Sequence, residues 1–457
     1  MRLVQGFVIL VLLFPMDSFF YHLKRLIPRQ LLLAFRPPYH YLLSFVSAVR
    51  YGFPSREITV IGVTGTKGKS TVTELINAIF EADGKRTAMC GTIRFKIGER
   101  VEPNLHKMTM PGRMFIQRFL RDAVSAGCNV AIIEMTSEGS KQYRHKFIDL
   151  DALVFTNLSP EHIESHGSFD KYKQAKLALA RQLEHSRKRP RRMIANIDDQ
   201  HGEDFLAIDV ERKIPYSLRD PKLHTLTKDG VSVVLEGVTI RTPLVGLFNA
   251  YNVIAAISCA QSFGIPLKII ERALGNLTPI KGRVEKIPTP PNASRQVTAV
   301  VDYAHTPDSL EKLYKAFGDT KKICVLGNTG GGRDTWKRPE MGRIAGEYCD
   351  HVILTNEDPY DENPDLIVEA MRRGIEDLSK VSVIMDRREA IRQALRMAPD
   401  KSVVLITGKG TDPYIMGPRN TKTPWSDAET VKGEIAYLFG SSTRVGKETR
   451  NSGSAHV

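Results

Sequence analysis

The chain has 457 residues, of which 42% are hydrophobic, enough for two or three globular domains that each bury a core. Its 65 Lys and Arg against 51 Asp and Glu give a net charge of +14, which suits anionic partners such as nucleotides or acidic lipid headgroups. Much of the excess sits in a few runs, RKRPRR at 187–192 among them, and reads as solvated surface, so no nucleic acid is expected. Cys90, Cys128, Cys259, Cys324 and Cys349 show no CxxC spacing, so neither a zinc site nor a disulfide framework is expected, and a reducing cytoplasm fits.

Residues 3–15 form an apolar run shorter than the roughly 20 residues that span a bilayer as a helix. No small-residue cleavage site follows it, and Met16 opens a more ordinary segment, so the first fifteen residues read as upstream of the true start. From there to about Ser55, Leu, Phe and Tyr mix with Lys24, Arg25, Arg29 and Arg36, broken by Pro28, Pro37, Pro38 and Pro54. This pattern predicts two short amphipathic helices that pack on the main domain or rest on an anionic membrane face.

Next comes an apolar strand, ITVIGVT at 58–64, then a glycine-rich turn, GTKGKS, and the start of a helix. That order makes a phosphate cradle. Backbone N–H groups approach the phosphates at glycine, a lysine adds a cation, a hydroxyl reaches a bound Mg2+ and the helix dipole favours the anion. Gly65, Thr66, Lys67, Gly68, Lys69, Ser70 and Thr71 are therefore the expected ATP-binding residues. The usual spacing would put glycine at position 63, where Val63 stands, so the loop is a tighter variant. A glycine-rich turn with no ligand is the competing reading.

Further apolar runs at 129–135, 152–158 and 193–198 read as buried strands alternating with helices, the pattern of a mostly parallel sheet. Ligands gather at the carboxyl ends of such strands, which puts Glu134 and the stretch from Asn157 to His162 beside the phosphate loop, where they could hold a metal. A second alternating unit starts at Thr298, after a proline-rich stretch at 282–294 that reads as a hinge. The expected class is α/β, a P-loop central domain with a mostly parallel sheet plus a doubly wound, Rossmann-like C-terminal domain. The boundaries are a helical segment at 1–55, the P-loop, ATP-binding domain at 56–285, a second α/β domain at 286–440 and a disordered tail at 441–457.

These residues carry a resemblance. GVTGTKGKST, IEMTSEGSKQYR, FTNLSPEHIESHG with KYKQAK, GLFNAYN, GRVE, DYAHTPDSL, GGGRDTWKRPEMG, NEDPYDENP and TGKGTD occur in that order, covering about four-fifths of the chain. The chain resembles the Mur ligase family, ATP-dependent amide-bond ligases of bacterial cell-wall synthesis, and within it the subfamily that forms the UDP-N-acetylmuramyl tripeptide. The resemblance implies an acid–amino-acid ligase in which a substrate carboxylate takes the γ-phosphoryl group of ATP and the acyl phosphate is then captured by an amine. It implies ATP and Mg2+ as cofactors, Lys69, Glu134, His162 and Lys176 as catalytic residues, and Ser70, Glu134, His162 and carbamylated Lys176 as metal ligands. Asn252, Arg283 and Asp302 would contact the nucleotide. Thr109, Thr136, Gln142 and Arg144 would hold the muramyl-peptide acceptor. Arg333 would grip the free amino acid's carboxylate, with Glu357, Asp358, Tyr360, Gly408 and Asp412 around the rest of it, in a cytoplasmic monomer.

Two departures stand out. Only about 55 residues precede the first strand, where family members carry a uridine-nucleotide domain, so the acceptor carries UDP with a weaker grip or is lipid-linked. Glu357-Asp358-Pro359-Tyr360 stands where diaminopimelate-adding members have Asp-Asn-Pro-Arg, and Asp412 replaces a glutamate. Unpaired acid there favours lysine or ornithine over meso-diaminopimelate, unless Lys337, Arg338 or Lys409 supplies the missing cation. Folylpolyglutamate synthetase-like ligation, a P-loop NTPase coupled to motion or transport, and a binding protein without catalysis remain as other readings.

Overall fold

A computed structural model describes residues 29–440 except positions 162, 228 and 333. The reading of 1–28, the tail at 441–457, and the roles given to His162 and Arg333 lie outside the described residues. Helix α1 (Arg29–Arg50) is a 22-residue helix within the stretch where two were expected, the part before residue 29 lying outside the described residues. It runs through Pro37 and Pro38, which are exposed, so solvent reaches the carbonyls that the missing N–H groups leave unpaired.

The central domain is built on an eight-stranded sheet in the order β4-β3-β2-β5-β1-β6-β7-β8. Strands β1 (Thr59–Thr64), β2 (Thr87–Cys90), β5 (Val130–Glu134), β6 (Ala152–Phe155), β7 (Arg192–Asn196) and β8 (Arg212–Tyr216) run parallel. The edge hairpin β3 (Arg94–Ile97) and β4 (Arg100–Pro103) is antiparallel. The inner strands read as unbroken apolar runs because both faces are covered. On one face, α2 (Lys69–Ala82), α6 (Leu247–Ser262) and α7 (Leu267–Gly275) enclose Ile61, Val63, Ile132 and Val154. On the other, α3 (Arg113–Ser125) and α5 (Phe169–Glu184) cover Val60, Ile133, Leu153 and Phe155. A short helix α4 (Ser137–Lys141) follows β5, and a three-stranded sheet of β9 (His224–Leu226), β10 (Val231–Leu235) and β11 (Val238–Thr242) packs beside α6.

The C-terminal domain has six strands in the order β12-β13-β17-β14-β15-β16. Edge strand β12 (Glu285–Pro288), inside the stretch read as a hinge, pairs antiparallel with β13 (Val297–Val301). Strands β14 (Lys322–Leu326), β15 (His351–Leu354), β16 (Val381–Val383) and β17 (Ser402–Ile406) complete the parallel part. Helices α8 (Pro307–Lys315), α9 (Lys337–Tyr348), α10 (Pro364–Arg372), α11 (Arg387–Met397) and α12 (Asp427–Phe439) cover it on both sides.

One cysteine reading is corrected. Cys324 and Cys349 are joined by a disulfide, with Cα atoms 6.2 Å apart, while Cys90, Cys128 and Cys259 are free and buried. Cys349 ends α9 just ahead of β15, and the parallel pairing of β15 with β14 delivers it to Cys324. That proximity has no counterpart in the spacing of the residues.

Candidate active site between two domains

The phosphate loop takes its shape from two glycines with left-handed backbone. At Gly65 (φ +146°) a Cβ would lie 1.9 Å from Thr156 Oγ1, and at Gly68 (φ +85°) 2.3 Å from Asn252 Oδ1, so only hydrogen fits at either point. Val63 lies inside β1 and is buried, which is why no glycine is needed there. Gly68 caps α2 without a side chain, and the first turn holds no acid, leaving the helix's N–H groups directed out of the loop. The loop is pinned to the end of β6: Lys67 N–H donates to Asn157 Oδ1 (2.9 Å), Thr156 Oγ1 donates to Lys67 O (2.6 Å), and Thr66 Oγ1 meets Tyr172 OH (2.9 Å).

Three lysines crowd this loop. Lys69 Nζ donates to the carbonyls of Gly65 (2.8 Å) and Thr66 (2.9 Å), and burial lowers its pKa against the pull of Glu161 and Glu134. Lys67 pairs with Glu161 at 2.7 Å, and His305 from the C-terminal domain approaches the same carboxylate at 3.5 Å. Lys176 is fully enclosed, with Nζ donating to Gly65 O at 2.7 Å. Burial, and then the neighbouring Lys69, push its pKa well below the usual lysine range, so the amine is held toward its neutral form.

Glu134, buried at the end of β5, collects hydroxyls and an amide. It accepts from Ser70 Oγ (3.0 Å), Thr92 N (2.7 Å) and Thr92 Oγ1 (2.9 Å), and Thr92 Oγ1 in turn meets Thr109 Oγ1 (2.8 Å). Thr92 was not foreseen, because a lone threonine after a strand carries no chemical signal until Glu134 is seen beside it. The oxygen donors Ser70 and Glu134 suit a hard divalent cation beside phosphate. Among the described residues, no three His, Cys, Asp or Glu side chains gather into a metal cluster. As an amine Lys176 is no metal ligand either, whereas a carbamate on it would be an anionic oxygen donor.

Asn252 donates to Asn249 Oδ1 (3.0 Å) under Gly68. Arg283 lies over the Tyr303 ring at 4.4 Å and reaches Ser70 Oγ at 3.4 Å. Asp302 accepts from the amides of Val284 (2.8 Å) and Ala304 (2.7 Å); burial raises its pKa, with Arg283 opposing. The cavity between the domains, about 1090 Å³, brings Lys69, Ser70, Glu134 and Lys176 together with Asn252, Arg283 and Asp302, and with Thr109 and Thr136. That volume holds a nucleotide with part of a second substrate.

Gln142 and Arg144 do not line this cavity. Gln142 bonds Glu138 (2.8 Å), Arg144 bonds Gln142 Oε1 (2.7 Å) and donates to Met110 O, so they brace the loop that carries Thr109. Thr136 caps α4 through Gly139 N–H (3.0 Å).

The amino-acid set lies outside the cavity lining, and its supposed unpaired acidity is corrected. Asp358 pairs with Lys409 (2.7 Å) and with Lys107 of the central domain (3.0 Å), and Asp412 is 3.3 Å from Lys107 and 3.6 Å from Lys409. Burial raises the Asp358 carboxyl, but Lys409 and Lys107 outweigh it and hold the group below its usual range. Glu357 accepts from Thr329 Oγ1 (2.9 Å); its Oε2, within 2.0 Å of where a Gly408 Cβ would be, has no partner, and burial raises its pKa. Arg338 is committed to Glu362 at 2.6 Å. Lys107 (φ 50°) and Tyr360 (φ 53°) both hold left-handed backbone without being glycine, a strain on the order of 1–3 kcal/mol each of the kind that collects at functional sites.

With this geometry in view, comparison with known proteins gives consistent matches. Residues 63–260 match the Mur ligase middle domain and residues 282–410 the Mur ligase glutamate ligase domain. A UDP-N-acetylmuramoyl-L-alanyl-D-glutamate--2,6-diaminopimelate ligase of Syntrophomonas wolfei is 35% identical over 389 residues, 81% of this chain and 77% of that one. A UDP-N-acetylmuramyl-tripeptide synthetase of Roseiflexus is 34% identical over 421 residues, covering 86% and 81%. Among solved structures, a 2,6-diaminopimelate ligase superposes with a TM-score of 0.56 at 29% identity, covering 83% of this chain and 78% of that one. Folylpolyglutamate synthase of Mycobacterium tuberculosis gives 0.64 at 16% identity, covering 84% and 95%, which is a likeness of fold.

Proposed function

The chain belongs to the Mur ligase family of ATP-dependent amide ligases of peptidoglycan synthesis, and on that premise we propose that it joins a diamino acid to the carboxylate of a muramyl-peptide acceptor. The observation that carries this reading is the shared cavity, in which the α2 N-terminus, Ser70 and Glu134 face Thr109, Thr136, Arg283 and Asp302. A carboxylate oxygen of the acceptor attacks the γ-phosphorus of ATP, and the bond to the bridging oxygen breaks with release of ADP. The amine of the amino acid then attacks the acyl carbon, phosphate leaves, and the surplus amine proton passes to solvent.

Positioning and charge do most of the work in such a transfer. The N–H groups of α2 and the Lys69 ammonium hold the phosphates, Arg283 adds positive charge beside Ser70, and Asp302 fixes the segment that carries Arg283. Thr109 and Thr136 hold the acceptor, with Gln142 and Arg144 as supports for that loop. Mg2+, when bound, neutralises phosphate charge; Ser70 and Glu134 would hold one ion, and His162 with carbamylated Lys176 a second. The neutral amine of Lys176 is the form that takes up carbon dioxide.

For the amino acid, the paired charges replace lysine or ornithine with diaminopimelate as the favoured substrate. Its far ammonium meets Asp358 or Asp412, and its far carboxylate meets Lys107, which supplies the cation that Tyr360 does not. The deciding assay is phosphate release from ATP with UDP-N-acetylmuramyl-dipeptide and a panel of amino acids. Release that needs both the acceptor and an amino acid is expected; release indifferent to the amino acid would overturn the reading.

A further inference from the structure

Helix α1 is amphipathic the wrong way round for a helix that only packs on its own domain. The face turned to the protein carries Ser44, Ser47 and Ala48, which are 3%, 0% and 0% exposed. The face turned away carries Tyr39, Leu42, Phe45 and Val49, at 44%, 53%, 43% and 52% exposed. Their spacings of three, three and four residues put them on one side of the helix. Small residues inside allow a close, fixed seat: Ser44 Oγ donates to Tyr143 O (2.9 Å), and Tyr41 and Phe45 stack edge-on against Phe147 at 5.2 and 5.4 Å. Leu42, Phe45 and Val49 still leave two-fifths or more of their surface exposed in one rigid row, an apolar patch of the kind that marks an interaction surface.

Charge identifies what covers them. The 22 residues of α1 include no acid, and across residues 1–56 there are seven Lys or Arg against one acid, Asp17. Exposed Arg50 stands at the end of the stripe, and exposed Arg118 stands on α3, on which α1 packs. Upstream in the sequence the apolar run at 3–15 and the basic pair Lys24–Arg25 extend the same composition. An apolar stripe with basic flanks is the chemistry that seats a helix flat at the headgroup boundary of an anionic bilayer.

We propose that α1 docks this protein on an anionic lipid surface through Tyr39, Leu42, Phe45 and Val49. The seat is rigid because α1 is bonded to the segment 143–147, which follows Gln142 and includes Arg144, so the docked face also sets how the acceptor loop lies relative to the bilayer. The docking does not depend on which amino acid is added, so its failure and that of the proposed reaction are distinguishable.

The experiment is sedimentation of the full chain with vesicles of phosphatidylglycerol and phosphatidylcholine, or of phosphatidylcholine alone, at low and high salt. Binding at least tenfold stronger to the anionic vesicles, weakened by salt, is expected. Leu42→Ser/Phe45→Ser/Val49→Ser should weaken it at least tenfold, and the single exposed change Leu42→Glu should do the same, with phosphate release in solution unchanged. Equal binding of wild type and both variants, or no binding by any of them, would overturn the proposal. So would a dimer in sedimentation velocity that the triple variant dissolves, or binding that appears only when residues 1–28 are deleted. The former would make a second copy the occupant of the stripe, and the latter would make it residues 1–28.

Discussion

At the proposed ATP end, Lys69 and Glu134 are held by their own loop or by the next strand of one parallel sheet. Lys69 is gripped by Gly65 and Thr66, a few residues away, and Glu134 reaches Ser70 because β5 lies beside β1. At the proposed amino-acid end, Asp358 pairs with Lys409 of its own domain and also with Lys107, 251 positions away and in the other domain. The first arrangement survives any relative movement of the two domains. The contacts of Lys107 with Asp358 and Asp412 exist only when the two domains are close, so they can register closure. A motif can therefore specify the first arrangement locally, whereas the Lys107 contacts depend on docking.

The largest effect tests the local half. Lys69→Ala and Glu134→Ala should each lower kcat by about 10²–10³-fold, the usual cost of removing one preorganised charge-stabilising group. Steady-state phosphate release checks this, and near-normal turnover in either variant would break the comparison at its stronger end.

Next in size is Lys176. Lys176→Ala should lose about 10²-fold in ligation and recover part of it with added short carboxylates, which stand in for a carbamate. Lys176→Met separates function from stability. Because the folded pKa of Lys176 is depressed, its burial is unfavourable at neutral pH and the cost fades as pH rises toward the unfolded value near 10.4. Thermal melts should show the methionine variant gaining stability at pH 7, with the gain shrinking by pH 10. A gain that grows with pH would refute the neutral, buried amine.

Lys107→Met sharpens the distant half. Losing one cation at a paired, mostly enclosed site should shift the ratio of kcat/KM for diaminopimelate over lysine by about tenfold toward lysine, roughly 1.4 kcal/mol, while KM for ATP stays put. An unchanged ratio would mean that Lys107 only joins the domains. The smallest functional effect belongs to Cys324 and Cys349: alkylation under non-reducing, denaturing conditions should modify three cysteines of five, and reduction should lower the melting temperature without altering substrate preference.

The strand, glycine turn and helix from 58 onward were legible because backbone geometry dictates them. Gly65 and Gly68 are required by atoms within 2.3 Å of any added Cβ, and the parallel strands show as unbroken apolar runs because both sheet faces are buried. The place of Glu134 at a strand end was legible for the same reason. Thr92 was not, since a hydroxyl becomes informative only beside the carboxylate it serves. The cysteine pair was also hidden, because two parallel strands bring its ends together.

By itself, the sequence determined the alternating order of the elements and the glycine turn between β1 and α2, because these follow from local backbone preference and side-chain period. Tertiary structure alone decided which cations pair with Asp358 and Asp412, the orientation of the apolar face of α1, and the depressed pKa of Lys176. Each of those depends on which distant groups approach and how much water they exclude, and Coulomb and desolvation energies depend on such distances and not on position along the chain.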